Sequence, residues 1–184
     1  MNTYLILLRG INVGGKNKIP MAQLRQSLEE LGFTDVTTYI ASGNVILKSD
    51  KSATETATTI EEVLPQKFDL DTDLIKVLAL TREQLQSVID NKPDDFGEYP
   101  KKYHSDAIFL IGISAQEAIE AFKPREGVDK VWAGDGVIYS QRLSTELTKS
   151  RLSVVIMSPL YKSMTIRSWN TTVKLLDLLN KASD

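Results

Sequence analysis

Val36-Thr37-Thr38-Tyr39-Ile40-Ala41, Ser42-Gly43-Asn44 and Val45-Ile46-Leu47-Lys48 follow one another without a break. The outer runs are rich in β-branched and aromatic residues and the middle one is a tight-turn signal, so the stretch predicts a β-hairpin. A helical stripe lies on each side of it. Upstream, Met21, Leu24, Leu28 and Leu31 recur at i, i+3, i+7 and i+10, with Pro20 near the first turn and Gly32 at the end. Downstream, Ser52 and Glu55 spell a capping box ahead of Ala57, Ile60, Leu64 and Phe68. The apolar run Tyr4 to Leu8 and the run Leu74 to Leu80 read as outer strands. Residues 1–80 therefore have the order β-α-β-β-α-β, the split βαβ arrangement of a ferredoxin-like fold. A hairpin between the helices argues against a doubly wound parallel sheet.

The same order returns in the second half. Thr81 and Gln84 cap a helix through Leu85, Val88 and Ile89, and Asn91 to Lys102, with Pro93, Gly97 and Pro100, reads as a connecting segment. A strand over Asp106 to Ile113 leads to a third capping box, Ser114 with Glu117, and to a short helix broken by Pro124 to Gly127. Val128 to Ala133 and Val137 to Gln141 flank Gly134-Asp135-Gly136, a second hairpin signal. A helix over Glu146 to Ile156, a short strand at Met164 to Ile166 and a helix through Trp169, Val173, Leu176 and Leu179 complete the pattern. The expected architecture is α+β: two ferredoxin-like (βαββαβ) halves over 1–80 and 105–184, joined by a helix and linker over 81–104, with an additional C-terminal helix.

Topology then predicts proximity. With a right-handed crossover, strands one and two of each half run parallel with strand three between them. The loop after the first strand, the Ser42-Gly43-Asn44 turn and the segment holding Asp69, Asp71 and Asp73 should share one end of the first sheet.

Composition narrows the function classes. The 184 residues contain no cysteine and one histidine, His104, which leaves no thiolate zinc site, no cysteine nucleophile and no histidine metal cluster. A formal net charge of −2 and a pI near 5.5 oppose general nucleic-acid binding. With 42% hydrophobic residues and no apolar run of membrane-spanning length, the chain reads as soluble, without a membrane partner. The apolar start lacks the basic region and cleavage site of a signal peptide, so a cytoplasmic location is expected.

Chemistry concentrates in the first loop, Arg9-Gly10-Ile11-Asn12-Val13-Gly14-Gly15-Lys16-Asn17-Lys18. Glycines that bring backbone N–H groups close, followed by a helix start, make a natural anion cradle. Arg9, Lys16, Lys18, Asn12 and Asn17 could hold a phosphate or carboxylate through charge-assisted hydrogen bonds, with Gly14 and Gly15 shaping the loop. The competing reading is a packed loop whose lysines pair with Asp69, Asp71 and Asp73. Ser42 and Asn44 are expected beside it, and Arg167, ahead of Ser168 as N-cap and Trp169 as core, would be a second anion clamp if the C-terminal half folds over the loop.

Other patterns fail on chemistry. Gly10-x4-Gly15-Lys16 lacks the Ser or Thr of a Walker A loop, since Asn17 follows, and Pro20 starts the helix late. Asp69-x-Asp71-x-Asp73 has Leu74 and Leu80 where a calcium loop needs Gly and Glu. Asp94, Asp95 and Glu98 read as linker charges, and His104 beside Tyr103 has no identifiable partner. No cofactor, metal or catalytic residue is assigned.

Leu7-Leu8-Arg9-Gly10-Ile11-Asn12-Val13-Gly14-Gly15-Lys16-Asn17, Leu31-Gly32-Phe33 and Thr38-Tyr39-Ile40-Ala41-Ser42-Gly43-Asn44-Val45 together resemble the signature of an uncharacterised bacterial family, domain of unknown function 1697. Thr165-Ile166-Arg167-Ser168-Trp169-Asn170-Thr171 resembles the family's Thr-Thr-Arg-Asn-Trp-Asn-Thr, with Ile166 and Ser168 departing from it. The resemblance implies a full-length α+β member and no particular chemistry.

The expected function is binding of a phosphate-bearing or other anionic small molecule at the first loop. RNA binding on the sheets is the alternative, although Val45-Ile46-Leu47-Lys48 carries no stacking aromatic. A third is a protein-interaction module on a sheet edge, which edge charges such as Lys48 discourage.

Overall fold

The computed structural model describes residues 1–183. Two compact units divide them, one of Met1–Leu85 with Lys174 onward, the other of Gln86–Val173.

In the first unit, β1 (Asn2–Leu8), α1 (Met21–Glu30), β2 (Thr34–Tyr39), β3 (Asn44–Ser49), α2 (Ala53–Lys67) and β4 (Val77–Leu80) follow in the anticipated order. The four strands form an antiparallel sheet in the order β2-β3-β1-β4, with β1 hydrogen-bonded to both β3 and β4. Its central strand is apolar throughout its second half, and Tyr4, Leu5, Ile6, Leu7 and Leu8 are all buried. Burying an aliphatic side chain of this size contributes about 1.5–3 kcal/mol, which makes β1 the thermodynamic centre of the unit. Leu24 and Leu28 of α1 and Ile60 and Leu64 of α2 pack on Ile6, Leu8, Val45 and Leu47.

Helix α2 begins with the anticipated capping box, in which Ser52 Oγ accepts from Glu55 N and Glu55 Oε2 accepts from Ser52 N. Thr81 and Gln84 exchange the same two bonds ahead of α3 (Arg82–Asp90). The β2–β3 connection is longer than the three-residue turn read from sequence. Residues 40–43 form the loop, with Ile40 and Gly43 both at positive φ, and Asn44 is the first residue of β3. A left-handed residue such as Ile40 carries no sequence signal, since β-branched residues rarely adopt it.

The second unit holds β5 (Tyr103–Leu110), α4 (Ala115–Ile119), β6 (Asp129–Ala133), β7 (Val137–Leu143) and β8 (Met164–Ser168). Its sheet is antiparallel in the order β6-β7-β5-β8. Ser114 and Glu117 cap α4 reciprocally. Residues 91–102 are turns, as expected for the connecting segment. One prediction fails here: the stretch read as a helix over Glu146 to Ile156 is a chain of 3-10 turns, Ser144–Lys149, Leu152–Met157 and Pro159–Ser163. Ser150 breaks the run with ψ of 142°, and Ser158 with Pro159 breaks it again. The segment instead buries Leu152 and Val155 from short turns separated at Ser150 and Ser158, and leaves Val154 and Ile156 exposed.

Two cores support this sheet. Ile108, Leu110, Ile138 and Met164 pack with Ala118 and Phe122 of the α4 region and with Leu152 and Val155 of the 3-10 chain. Phe96 lies edge-on to Trp132, Tyr139 and Trp169, with ring centroids 5.0–5.9 Å away. Tyr139 Oη donates to Val88 O, and burial pushes its hydroxyl up to about 12. Gly97 has φ +75°, and a Cβ there would lie 2.1 Å from the Trp169 ring, so only glycine allows this packing. Helix α5 (Trp169–Ser183) starts in this unit, with Ser168 Oγ accepting from Thr171 N, the bond of an N-cap.

Candidate functional sites

The first loop folds on itself. Val13 and Lys16 form an isolated antiparallel bridge in which Lys16 N donates to Val13 O at 3.0 Å. Gly14 and Gly15, at φ +59° and +76°, make the two-residue turn between them. The glycines thus serve a tight turn at the exposed tip, and the backbone concavity suggested by sequence is replaced by a small hairpin.

Asparagines hold that hairpin in place. Asn12, at φ +55°, donates from Nδ2 to Ile19 O and Ala41 O and accepts from Ile19 N through Oδ1, at 2.8–3.0 Å. Asn17, buried at φ +48°, donates from Nδ2 to Gly10 O and accepts from Asp71 N, while its own N–H donates to Asp71 Oδ2 at 2.6 Å. Both residues tolerate the left-handed region and carry an amide that mimics backbone, which suits them to cross-bracing. Asn44 is fully buried and donates from Nδ2 to Tyr39 O and Ser42 Oγ. Leu8 N donates to Gly43 O at 2.8 Å, which brings the β2–β3 loop against the end of β1.

Arg9, Asn12, Gly14, Gly15, Lys16, Asn17, Ser42 and Asn44 therefore cluster at one end of the first sheet, with Asp71 beside them. Asp71 is occupied by Asn17 rather than by a lysine. Lys16 and Lys18 are exposed and form no ion pair among the described residues. Arg9 is half-buried.

Arg167 belongs to the second unit. It lies opposite Ala107 in the β5–β8 ladder, is 5% exposed, and donates from Nη1 to Thr165 Oγ1 and Ile166 O. Burial pulls its guanidinium down to about 10.

A cleft of about 190 Å³ opens where β5 begins and β8 passes into α5. His104, Asp106, Ser168 and Asn170 supply its polar groups, and Trp169 and Tyr103 its rings. His104 has no partner legible in the sequence, and Asp106, two residues along the same strand, carries no sequence signal beyond its place in a strand. Alternation along β5 puts the two on one face. Burial pushes the Asp106 carboxyl up, against the opposing pull of Arg142 and of His104. Nearby, burial also pushes up on the Asp129 carboxyl, but the N–H groups of Arg151 and Arg125, the Ser150 hydroxyl and the Arg142 guanidinium together hold that group low. Among the described residues no group of three or more His, Cys, Asp or Glu side chains could hold a metal ion. Nor is any helix among them long and apolar enough to cross a membrane.

Comparison with known proteins agrees with this architecture. A solved structure, "The structure of conserved bacterial protein SP0830 from Streptococcus pneumoniae", is similar with a TM-score of 0.72 at 27% identity, covering 96% of this chain and 98% of that one. No curated protein matches the chain. The family model described as "Protein of unknown function (DUF1697)" matches residues 1–139, a span that contains the first loop and the β2–β3 loop and stops short of the 165–171 motif. The chain belongs to this DUF1697 family.

Proposed function

We propose that the protein binds a phosphate-bearing or other anionic small molecule at the first loop, with Lys16, Lys18 and Arg9 as the cationic donors. One observation carries the reading: the braced first loop presents two exposed lysines, Lys16 at the end of its hairpin and Lys18 just beyond, that form no ion pair among the described residues. Asn12 and Asn17 fix the loop from inside, so a ligand meets ammonium groups whose base does not need ordering, which lowers the entropic cost of binding. Gly14 and Gly15 contribute by keeping the tip free of side chains. Ser42 and Asn44 act as supports of the same end of the sheet.

The reading extends to the architecture. The first unit is a ferredoxin-like unit, supported by its βαββαβ order, and the second follows the same plan with 3-10 turns in place of the second helix and the same strand order in its sheet. Residues 81–102, with α3 and the turns after it, run from the first sheet to β5, and the absence of cysteine fits a cytoplasmic setting.

Thermal unfolding of wild type and Lys16→Ala against nucleotides, sugar phosphates, inorganic phosphate and small carboxylates tests the proposal. A ligand at about a hundred times its dissociation constant stabilises by about 2.7 kcal/mol. In a protein of this size that raises the midpoint by roughly 5–10 °C. The expected result is a rise that Lys16→Ala reduces or abolishes. Equal rises in both proteins, or none in either, would sink it.

A further inference from the structure

The second unit contains two opposite charges, Asp106 and Arg142, that attract each other without a hydrogen bond between them. Asp106 of β5 pairs in register with Ser140 of β7, and Arg142 follows Ser140 by two residues, so both side chains stand on one face of the sheet. Arg142 Nη2 comes no closer to Asp106 Oδ2 than 3.9 Å, beyond hydrogen-bonding distance. Among the described residues neither side chain makes a hydrogen bond to anything else, and Arg142 Nε is buried without a hydrogen-bond partner. Asp129 stands opposite Arg142 in the β6–β7 ladder and attracts it, but its Oδ2 accepts from the N–H groups of Arg125 and Arg151 instead. Yet both are substantially covered, with side-chain exposures of 24% and 35%.

Covered charges are ordinarily saturated with hydrogen bonds, and an ion pair kept without them offers the fold little that apolar residues would not. The surroundings suggest a use for this one. Asp106 and Arg142 line a cavity of about 170 Å³ whose remaining walls include Ile108, Leu152, Val155 and Ile166. Ile156, 56% exposed, stands at the rim. Apolar walls around a few convergent polar groups are the form of a small-molecule site. A ligand that satisfies this floor needs a cation for Asp106 and, within a few ångströms of it, an anion for the planar guanidinium of Arg142. It also needs an aliphatic body to fill the rest. A plain amine or a plain carboxylate would leave one of the two side chains without a hydrogen-bond partner.

We propose that this cavity binds an α-amino acid with an aliphatic side chain, its ammonium on Asp106 and its carboxylate on Arg142. The site is independent of the first loop and uses none of its residues.

Isothermal titration of the full chain with leucine, 3-methylbutylamine, 4-methylpentanoate and glycine tests the assignment. Leucine should bind at least tenfold more tightly than the other three, because each of them lacks one charge or the aliphatic body. Asp106→Asn and Arg142→Gln should each weaken leucine at least tenfold, while Lys16→Ala leaves it unchanged. No leucine binding, equal binding of the amine or the acid, or undiminished binding by both charge variants would overturn the proposal. So would a loss of leucine binding in Lys16→Ala. Melting curves report whether the charge variants fold. Should either fail to fold, Ile156→Arg at the exposed rim replaces it: blocked binding at an unchanged melting midpoint supports the site, and full binding refutes it.

Discussion

The two sheets share a strand order and differ in which end of the central strand is elaborated. In the first unit, β1 is buried and apolar up to Leu8, and the polar groups gather beyond its C-terminal end, in the hairpin of Val13 to Lys16. In the second, the loop after β5 is short, and the polar residues lie within the strand itself, as Tyr103, His104, Ser105 and Asp106 ahead of the apolar Ala107 to Leu110. The partner strands follow suit: Leu5 pairs with Ile46 in the first sheet, whereas His104 pairs with Arg142 and Asp106 with Ser140 in the second. One topology thus tolerates polarity either outside the sheet, where loops solvate it, or inside, where it must find partners. Asparagines meet that need with hydrogen bonds in the first unit, while Asp106 and Arg142 meet it only by attraction to each other and to His104 and Asp129.

The comparison can be broken where each unit depends on a glycine. Gly97→Ala forces a Cβ into the Trp169 ring at a positive φ, and should cost about 3 kcal/mol or more in urea unfolding. Gly43→Ala meets Leu8 Cβ at 2.9 Å and Ile11 at 3.0 Å with φ +86°, and should cost about 2–3 kcal/mol. If either is neutral, the packing described for that unit is wrong. Asn17→Ala leaves Gly10 O and Asp71 N without their partner and should cost about 2 kcal/mol. Asn17→Ala should also weaken anion binding, whereas a purely local effect on stability would separate the brace from the site.

Smaller effects sharpen the contrast in charge. Because the Asp106 carboxyl titrates above its ordinary value, the native state holds that proton more tightly than the unfolded chain. Stability from this group is therefore present at low pH and falls as pH rises from the ordinary aspartate range through the raised value. Asp106→Asn should remove that decline and melt higher than wild type at neutral pH, as followed by thermal scans between acid and neutral conditions. A wild-type profile with no loss over that interval would contradict the burial of Asp106. Smallest of all, Lys16→Ala, at an exposed site with no ion pair among the described residues, should change stability by less than about 0.5 kcal/mol.

Much of the fold was legible because its signals are local. Ser52 with Glu55, Thr81 with Gln84 and Ser114 with Glu117 each mark a helix start from four residues of sequence, and all three bond as read. The clustering of the first loop with residue 42 and Asp71 followed from strand order alone. The 3-10 chain is hidden from the sequence because Ser150 and Ser158, which break it, are residues that a helix also accommodates. Gly14 and Gly15 were legible as a special backbone but not as a two-residue hairpin, since glycine permits both. Asp106 and Arg142 are 36 residues apart and gain meaning only from the register of β5 against β7. No spacing rule along the chain connects them.

The most direct test of the anion site is a titration of isotopically labelled protein with inorganic phosphate, followed by amide proton and nitrogen shifts. Saturable changes confined to residues 9–18 and the neighbouring Ser42, and lost in Lys16→Ala, are the predicted result. Changes centred on Tyr103 to Asp106 instead, or none up to millimolar phosphate, would contradict it.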